Sequence, residues 1–115
     1  MADETERAIA DLEALIGMVD RCVAELTEAR DLYSIVLTQM QAGGGTSEAL
    51  EAGRVSETRL AVTTALDELD RARQVSRTSL FRAQIAEGSS VPEVAVVWGI
   101  SRQLVARTIA SAAVE

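Results

Sequence analysis

The chain has 115 residues, three aromatic side chains, one proline and a net charge of −7, which leaves room for one compact core, or for a small module joined to an elongated helical segment, but not for two sizeable globular domains. Alanine, leucine, valine, glutamate and arginine recur throughout, a composition that favours helix over sheet and predicts an all-α protein. Histidine is absent, so an imidazole base, a Ser-His or Cys-His nucleophile pair and the usual zinc sites are excluded, and we expect no enzyme, no cofactor and no metal.

The first residues, Met1 to Arg7, are acidic rather than basic. No apolar run approaches the roughly 20 residues of a membrane span, so neither an export signal nor an anchor is expected. The lone cysteine, Cys22, has no partner for an internal disulfide and falls in an apolar helix lane, where a buried, reduced thiol is expected and the compartment is cytoplasmic. All eleven basic residues are arginine, with no lysine or asparagine, the usage of a GC-rich bacterial or phage genome.

From Asp3 to Ala42 there is no proline and a single glycine, and apolar residues follow heptads: Ile9, Leu12, Ile16, Val19, Val23, Leu26, then Tyr33, Leu37 and Met40. One long helix is predicted, with Arg30 the only break in the seam. A second lane beside it, Ala8, Leu15, Cys22, Ala29 and Val36, is apolar throughout. A two-stranded coiled coil needs only one seam, so this wider stripe predicts a helix that touches more than one neighbour.

Gly43, Gly44 and Gly45 stop the helix. Thr46 or Ser47 then caps a second helix, reaching to about residue 75, with apolar positions at Val55, Val62, Leu66 and Leu69. If the chain reverses near residue 44, Leu26 falls opposite Val62, Val19 opposite Leu69 and Tyr33 opposite Val55, a register that predicts a long antiparallel, coiled-coil or bundle-like hairpin over residues 1–75. Two hairpins would bury the lane of Leu15, Cys22 and Val36 between them, giving a homodimer through the N-terminal helices.

Around Arg71 to Ser79 the apolar pattern fails, and Leu80, Phe81 and Ile85 open a new cluster ending at Gly88, assigned to the core of a C-terminal module over residues 76–115. Charge divides along the same lines: residues 1 to 70 carry five arginines against fifteen acids, a net of −10, and residues 71 to 115 carry six arginines against three acids, a net of +3. An acidic body attached to a basic binding end is the pattern expected where a small part of a protein meets nucleic acid.

Ser90-Val91-Pro92-Glu93 has the form of a capping box with proline in the first turn. Val94, Ala95 and Trp98 supply the inner face of a short helix, Gly99 breaks it, Ile100 plugs the turn, and Ser101 caps a further helix whose inner face is Leu104 or Val105 with Ile109. This stretch resembles the helix-turn-helix of the phage Cro and repressor proteins and of the Hin-type recombinases, with a small residue, Ala95, four places before the turn glycine, Gly99, and a β-branched residue, Val105, six places after it. The resemblance covers about 20 residues, 90–109, and implies a DNA-binding protein, expected to be a dimeric transcriptional regulator. It implies double-stranded DNA as partner and assigns the DNA contacts to Ser101, Arg102, Gln103, Ala106 and Arg107: Arg102 and Gln103 read bases, Arg107 and Ser101 hold phosphate.

Two other readings compete. One is a helical protein-interaction or scaffold module that never touches DNA, with the acidic hairpin as its working surface. The other is an all-α pyrophosphohydrolase, prompted by Glu25 and Glu28 on one helix and Asp67 and Asp70 on the other; the hairpin register keeps these carboxylates apart, and a solvated acidic face is the expectation.

Overall fold

An acidic first turn, Asp3 and Glu4, and the absence of proline let one helix, α1 (Ala2–Gln41), run without interruption. It is followed by α2 (Thr46–Ala52), α3 (Val55–Ala86), α4 (Val91–Trp98) and α5 (Arg102–Val114) in the computed structural model, which describes residues 2–114. Among the described residues there is no strand, and the protein is all-α with a long antiparallel hairpin. No helix among them is long and apolar enough to cross a membrane. The chain forms two compact units, one of Gly17–Asp70 and one that gathers the residues up to Ile16 with those from Arg71 onward.

In the Gly17–Asp70 unit, α1 ends as its glycines predict: the amides of Gly43 and Gly44 bond to the carbonyls of Met40 and Gln39, closing a Schellman motif with Gly43 at φ 90°. The chain reverses, and α3 returns antiparallel along α1. The Cys22 thiol donates to the Ala65 carbonyl at 3.2 Å, Arg21 lies 3.7 Å from Glu68, and Leu26 and Val62 line one groove. The expected register therefore holds.

The expected packing face does not. The residues facing the partner helices are small: Cys22 and Ala29 on α1, Ala49 on α2, Thr58 and Ala65 on α3, all buried. The lane of Leu15, Cys22 and Val36, assigned above to a dimer, turns inward instead, with Cys22 3 % exposed. The bulkier heptad seam is left outside, where Val19, Val23, Leu26, Tyr33, Leu37 and Met40 are each 42–58 % exposed. Small side chains let the helix backbones come close enough for dense contact over a long line, and larger residues then fall on the flanks of that line.

The second helix also differs from expectation, because it divides in two. Gly45, not Thr46 or Ser47, occupies the cap of α2, in extended conformation and with no side-chain hydrogen bond. After Gly53 the chain kinks through Arg54 at φ 48°, and α3 starts afresh. The Thr58 hydroxyl donates to the Gly53 carbonyl, and the Arg54 guanidinium reaches Glu57 and Glu28 at 3.7 and 4.0 Å. The close approach of Gly53 to α1 explains the break: a Cβ there would lie 2.4 Å from Val36 Cγ2 and 2.9 Å from the Leu32 carbonyl oxygen.

In the other unit α3 continues through the stretch where the apolar pattern fails. Small polar residues take over the buried face, with Ser76 1 % and Ser79 5 % exposed. The Ser79 hydroxyl donates to the Asp11 carboxylate of α1, and the Thr5 hydroxyl donates to Glu87 at 3.1 Å. Ala8 is buried, while Ile9, Leu12 and Ile16 remain 39–57 % exposed. Of the cluster expected from Leu80, Phe81 and Ile85, Phe81 alone is fully buried; Ile85, one turn further along the same face of α3, stands 38 % exposed.

Gly53→Ala tests the close approach. The added methyl meets backbone as well as a flexible side chain, so overpacking is expected to lower unfolding stability by about 1–3 kcal/mol in urea titrations. A neutral substitution would mean that α2 and α1 do not meet as described.

Candidate nucleic-acid interface

Ser90 and Glu93 begin α4 with the reciprocal pair that their spacing predicts. The Ser90 hydroxyl accepts from the Glu93 amide at 3.3 Å, and the Glu93 carboxylate accepts from the Ser90 amide at 2.9 Å. That backbone hydrogen bond, followed by the one to the Ser90 side chain, holds the Glu93 carboxyl below the usual carboxylate range. Pro92 sits in the first turn, where its missing N–H costs nothing.

At the other end of α4, Gly99 adopts φ 66°, ψ 36°, the left-handed conformation that disfavours any residue with a Cβ. The Gly99 and Ile100 amides bond back to Val96 and Ala95, so two of the last four carbonyls of the helix are satisfied inside the turn. Ser101 then starts α5, its hydroxyl accepting from the Leu104 amide at 3.0 Å.

The core beneath these two helices is Phe81 from α3, Val94 and Ala95 from α4, and Val105 from α5, with Val91, Ile100 and Ile109 packed around it. Of the two candidates for the inner face of α5, Val105 is fully buried and Leu104 lies at the edge. Trp98, expected inside, is 37 % exposed. Its ring meets Phe81 edge to face at 5.2 Å, and its indole N–H donates to the Gln84 side chain at 2.9 Å. A ring with one polar atom settles at this boundary because both its face and its N–H are then satisfied.

With Val105 and Ile109 turned inward, the side chains at Ser101, Arg102, Gln103, Ala106 and Arg107 are all exposed. Arg102, Gln103 and Ala106 share one outward arc of α5. Arg107 stands a turn beyond Gln103 at the rim of a cleft of about 630 Å³, which is also lined by Arg7, Arg77 and Arg82. Sequence reading missed these three arginines as a group, since they come from separate helices; the excess of arginine over acid beyond residue 70 was their only trace.

Glu25, Glu28, Asp67 and Asp70 do not form a metal site, for among the described residues no three or more carboxylates or thiols gather to hold an ion, and Glu28 lies beside Arg54. Compared with known proteins, the chain matches no family model, no curated protein and no solved structure.

Glu93 makes the cap pH-dependent. Its lowered pKa means that the charged cap stabilises the folded state above the ordinary carboxylate range, and that this contribution is lost as pH falls through the folded value. Glu93→Gln should therefore be less stable than the parent at neutral pH, with the gap closing in acid, as followed by thermal unfolding between neutral pH and the acid limit. A gap independent of pH would contradict the assignment.

Proposed function

We propose that this protein binds double-stranded DNA in a sequence-specific way, as a homodimeric transcriptional regulator, with α5 as the helix that enters the major groove. One observation carries the reading. The capped α4, the left-handed Gly99 and the packed pair Ala95 and Val105 hold α5 rigidly by its inner face, and leave Arg102, Gln103 and Ala106 free on the outer one. This is the arrangement that a helix-turn-helix requires of its recognition helix.

The chemistry of that outer face suits base edges. Arg102 offers two parallel N–H donors to a guanine, Gln103 offers a donor and an acceptor to an adenine, and Ala106 is small enough to let the helix approach a thymine methyl. Arg107 and the Ser101 end of α5 face the phosphates. A net charge of +3 beyond residue 70 attracts DNA only weakly, so useful affinity depends on two copies bound together.

The dimer that this requires uses the stripe left outside the hairpin, in place of the lane of Leu15, Cys22 and Val36 that the fold consumes. Ile9, Leu12, Ile16, Val19, Val23 and Leu26 alternate at heptad spacing on α1, and all are 39–58 % exposed, which is the pattern of a seam between like helices. Burying what remains exposed on each would contribute on the order of 1 kcal/mol per residue, set against the entropy lost when two copies associate.

A second reading, a helical interaction module with no DNA binding, is favoured by Val96 and Val97, adjacent apolar residues on α4 that are 81 % and 72 % exposed. Substitution separates the two. Arg102→Ala is expected to cost about 1–3 kcal/mol of DNA affinity and to relax preference at one base pair, whereas Arg107→Ala weakens binding to all sequences and lowers the salt slope by about one unit per subunit. If folded Arg102→Ala and Arg107→Ala proteins bind a selected site as well as the parent does, α5 is not the recognition helix; if the parent binds no duplex at low salt, the interaction reading replaces the DNA reading.

A further inference from the structure

The cleft beside α5 gathers four arginines from three helices: Arg7 of α1, Arg77 and Arg82 of α3, and Arg107 of α5. Among the described residues none of the four makes an ion pair. The single acid in the cleft, Asp11, already accepts the Ser79 hydroxyl. Its two threonines, Thr78 and Thr108, have committed their protons to the carbonyls of Gln74 and Leu104. Beside the Gln74 amide and the Ser111 hydroxyl, the cleft offers chiefly guanidinium N–H, in a chain whose overall charge is −7.

Arg77 lies over the Phe81 ring, its guanidinium carbon 6.0 Å from the ring centroid. Its Nε is buried and has no hydrogen-bond partner. A buried donor without an acceptor destabilises a fold, and gathering like charges adds to that cost. Both costs are relieved together when a polyanion enters.

We infer that this cleft is a binding site for phosphate-bearing ligands, taking the oxygens of more than one phosphoryl group. A lone carboxylate, with two oxygens and one charge, would leave most of the guanidinium donors unused. Linked phosphates match both the number and the planar, forked geometry of the arginines. The site stands on the cleft residues alone and does not depend on base reading by Arg102 and Gln103. The phosphates can come from a soluble polyphosphate compound or from a duplex backbone lying along α5, and the two sources are separable.

Calorimetric titration with inorganic tripolyphosphate at low salt tests the inference, using the parent, Arg82→Gln, and Arg59→Gln as a variant with the same loss of charge outside the cleft. Arg82→Gln avoids the Arg77–Phe81 contact, and circular dichroism checks its helicity. The expected result is binding by the parent, a loss of about tenfold or more in Arg82→Gln, as removal of one charge-assisted hydrogen bond implies, and a change of less than about twofold in Arg59→Gln. A short random-sequence duplex is then titrated against the same proteins. A matching loss of duplex affinity in Arg82→Gln, with tripolyphosphate as competitor, assigns the phosphates to a nucleic-acid backbone. Tripolyphosphate binding without duplex competition assigns them to a soluble ligand. Failure of the parent to bind either probe, or equal weakening in Arg82→Gln and Arg59→Gln, overturns the site. Loss of base preference in Arg102→Ala is read separately, so the site and the DNA reading can fail independently.

Discussion

Close contact between small side chains governs the hairpin. In the Gly17–Asp70 unit, Cys22 and Ala29 on α1 meet a surface made by Ala49, Gly53, Thr58 and Ala65, and Gly53 has no room for even one methyl group. Backbones at such short range gain many weak contacts per residue, and no single side chain has to be large for the sum to matter. The same geometry settles what lies outside. Leucines, isoleucines and valines of the heptad seam cannot enter so narrow an interface, and they stay half-exposed along α1. The stripe proposed as the dimer contact is thus a consequence of how the hairpin closes.

A different constraint shapes the C-terminal helices, which are too short to be stable by themselves. Their order is supported by hydrogen bonds to backbone groups at the ends: the Ser90–Glu93 pair at the start of α4, the bonds of Gly99 and Ile100 across the turn, and Ser101 at the start of α5. Phe81, buried among Val94, Ala95 and Val105, ties the pair to α3. These contacts fix which residues of α5 point inward, and so which point away.

Much of this was legible in the sequence. Glycine at 43, 88 and 99, the capping box and the heptad spacing marked the ends of α1, α3 and α4 and the hairpin register because each rests on chemistry within a few residues, whereas the division between α2 and α3 was not marked in this way. The facing lane was not legible from α1 alone, since both of its lanes are apolar and the larger residues carry more weight in any count of hydrophobicity. A signal did exist on the partner helix, where Thr58, Ala65, Ala72 and Ser79 recur every seven residues and all are small. Gly53 was overlooked for a related reason: a glycine within a helical pattern costs only about 1 kcal/mol, and its need for space appears only when the opposing backbone is in place. At the candidate interface the residues of one helix were readable, whereas the arginine cleft, assembled from three helices, was not.

An exposed heptad seam, a helix with Arg102 and Gln103 outward, and a basic end on an acidic chain occur in one small protein. Together they support the proposal that two copies read one DNA site. Selection from a pool of random duplexes at low salt, followed by native mass spectrometry of the protein with the enriched sequence, measures that claim directly. An enriched site with two related half-sites and a complex of two chains on one duplex are expected. No enrichment at low salt, or a single chain on the duplex, would contradict it.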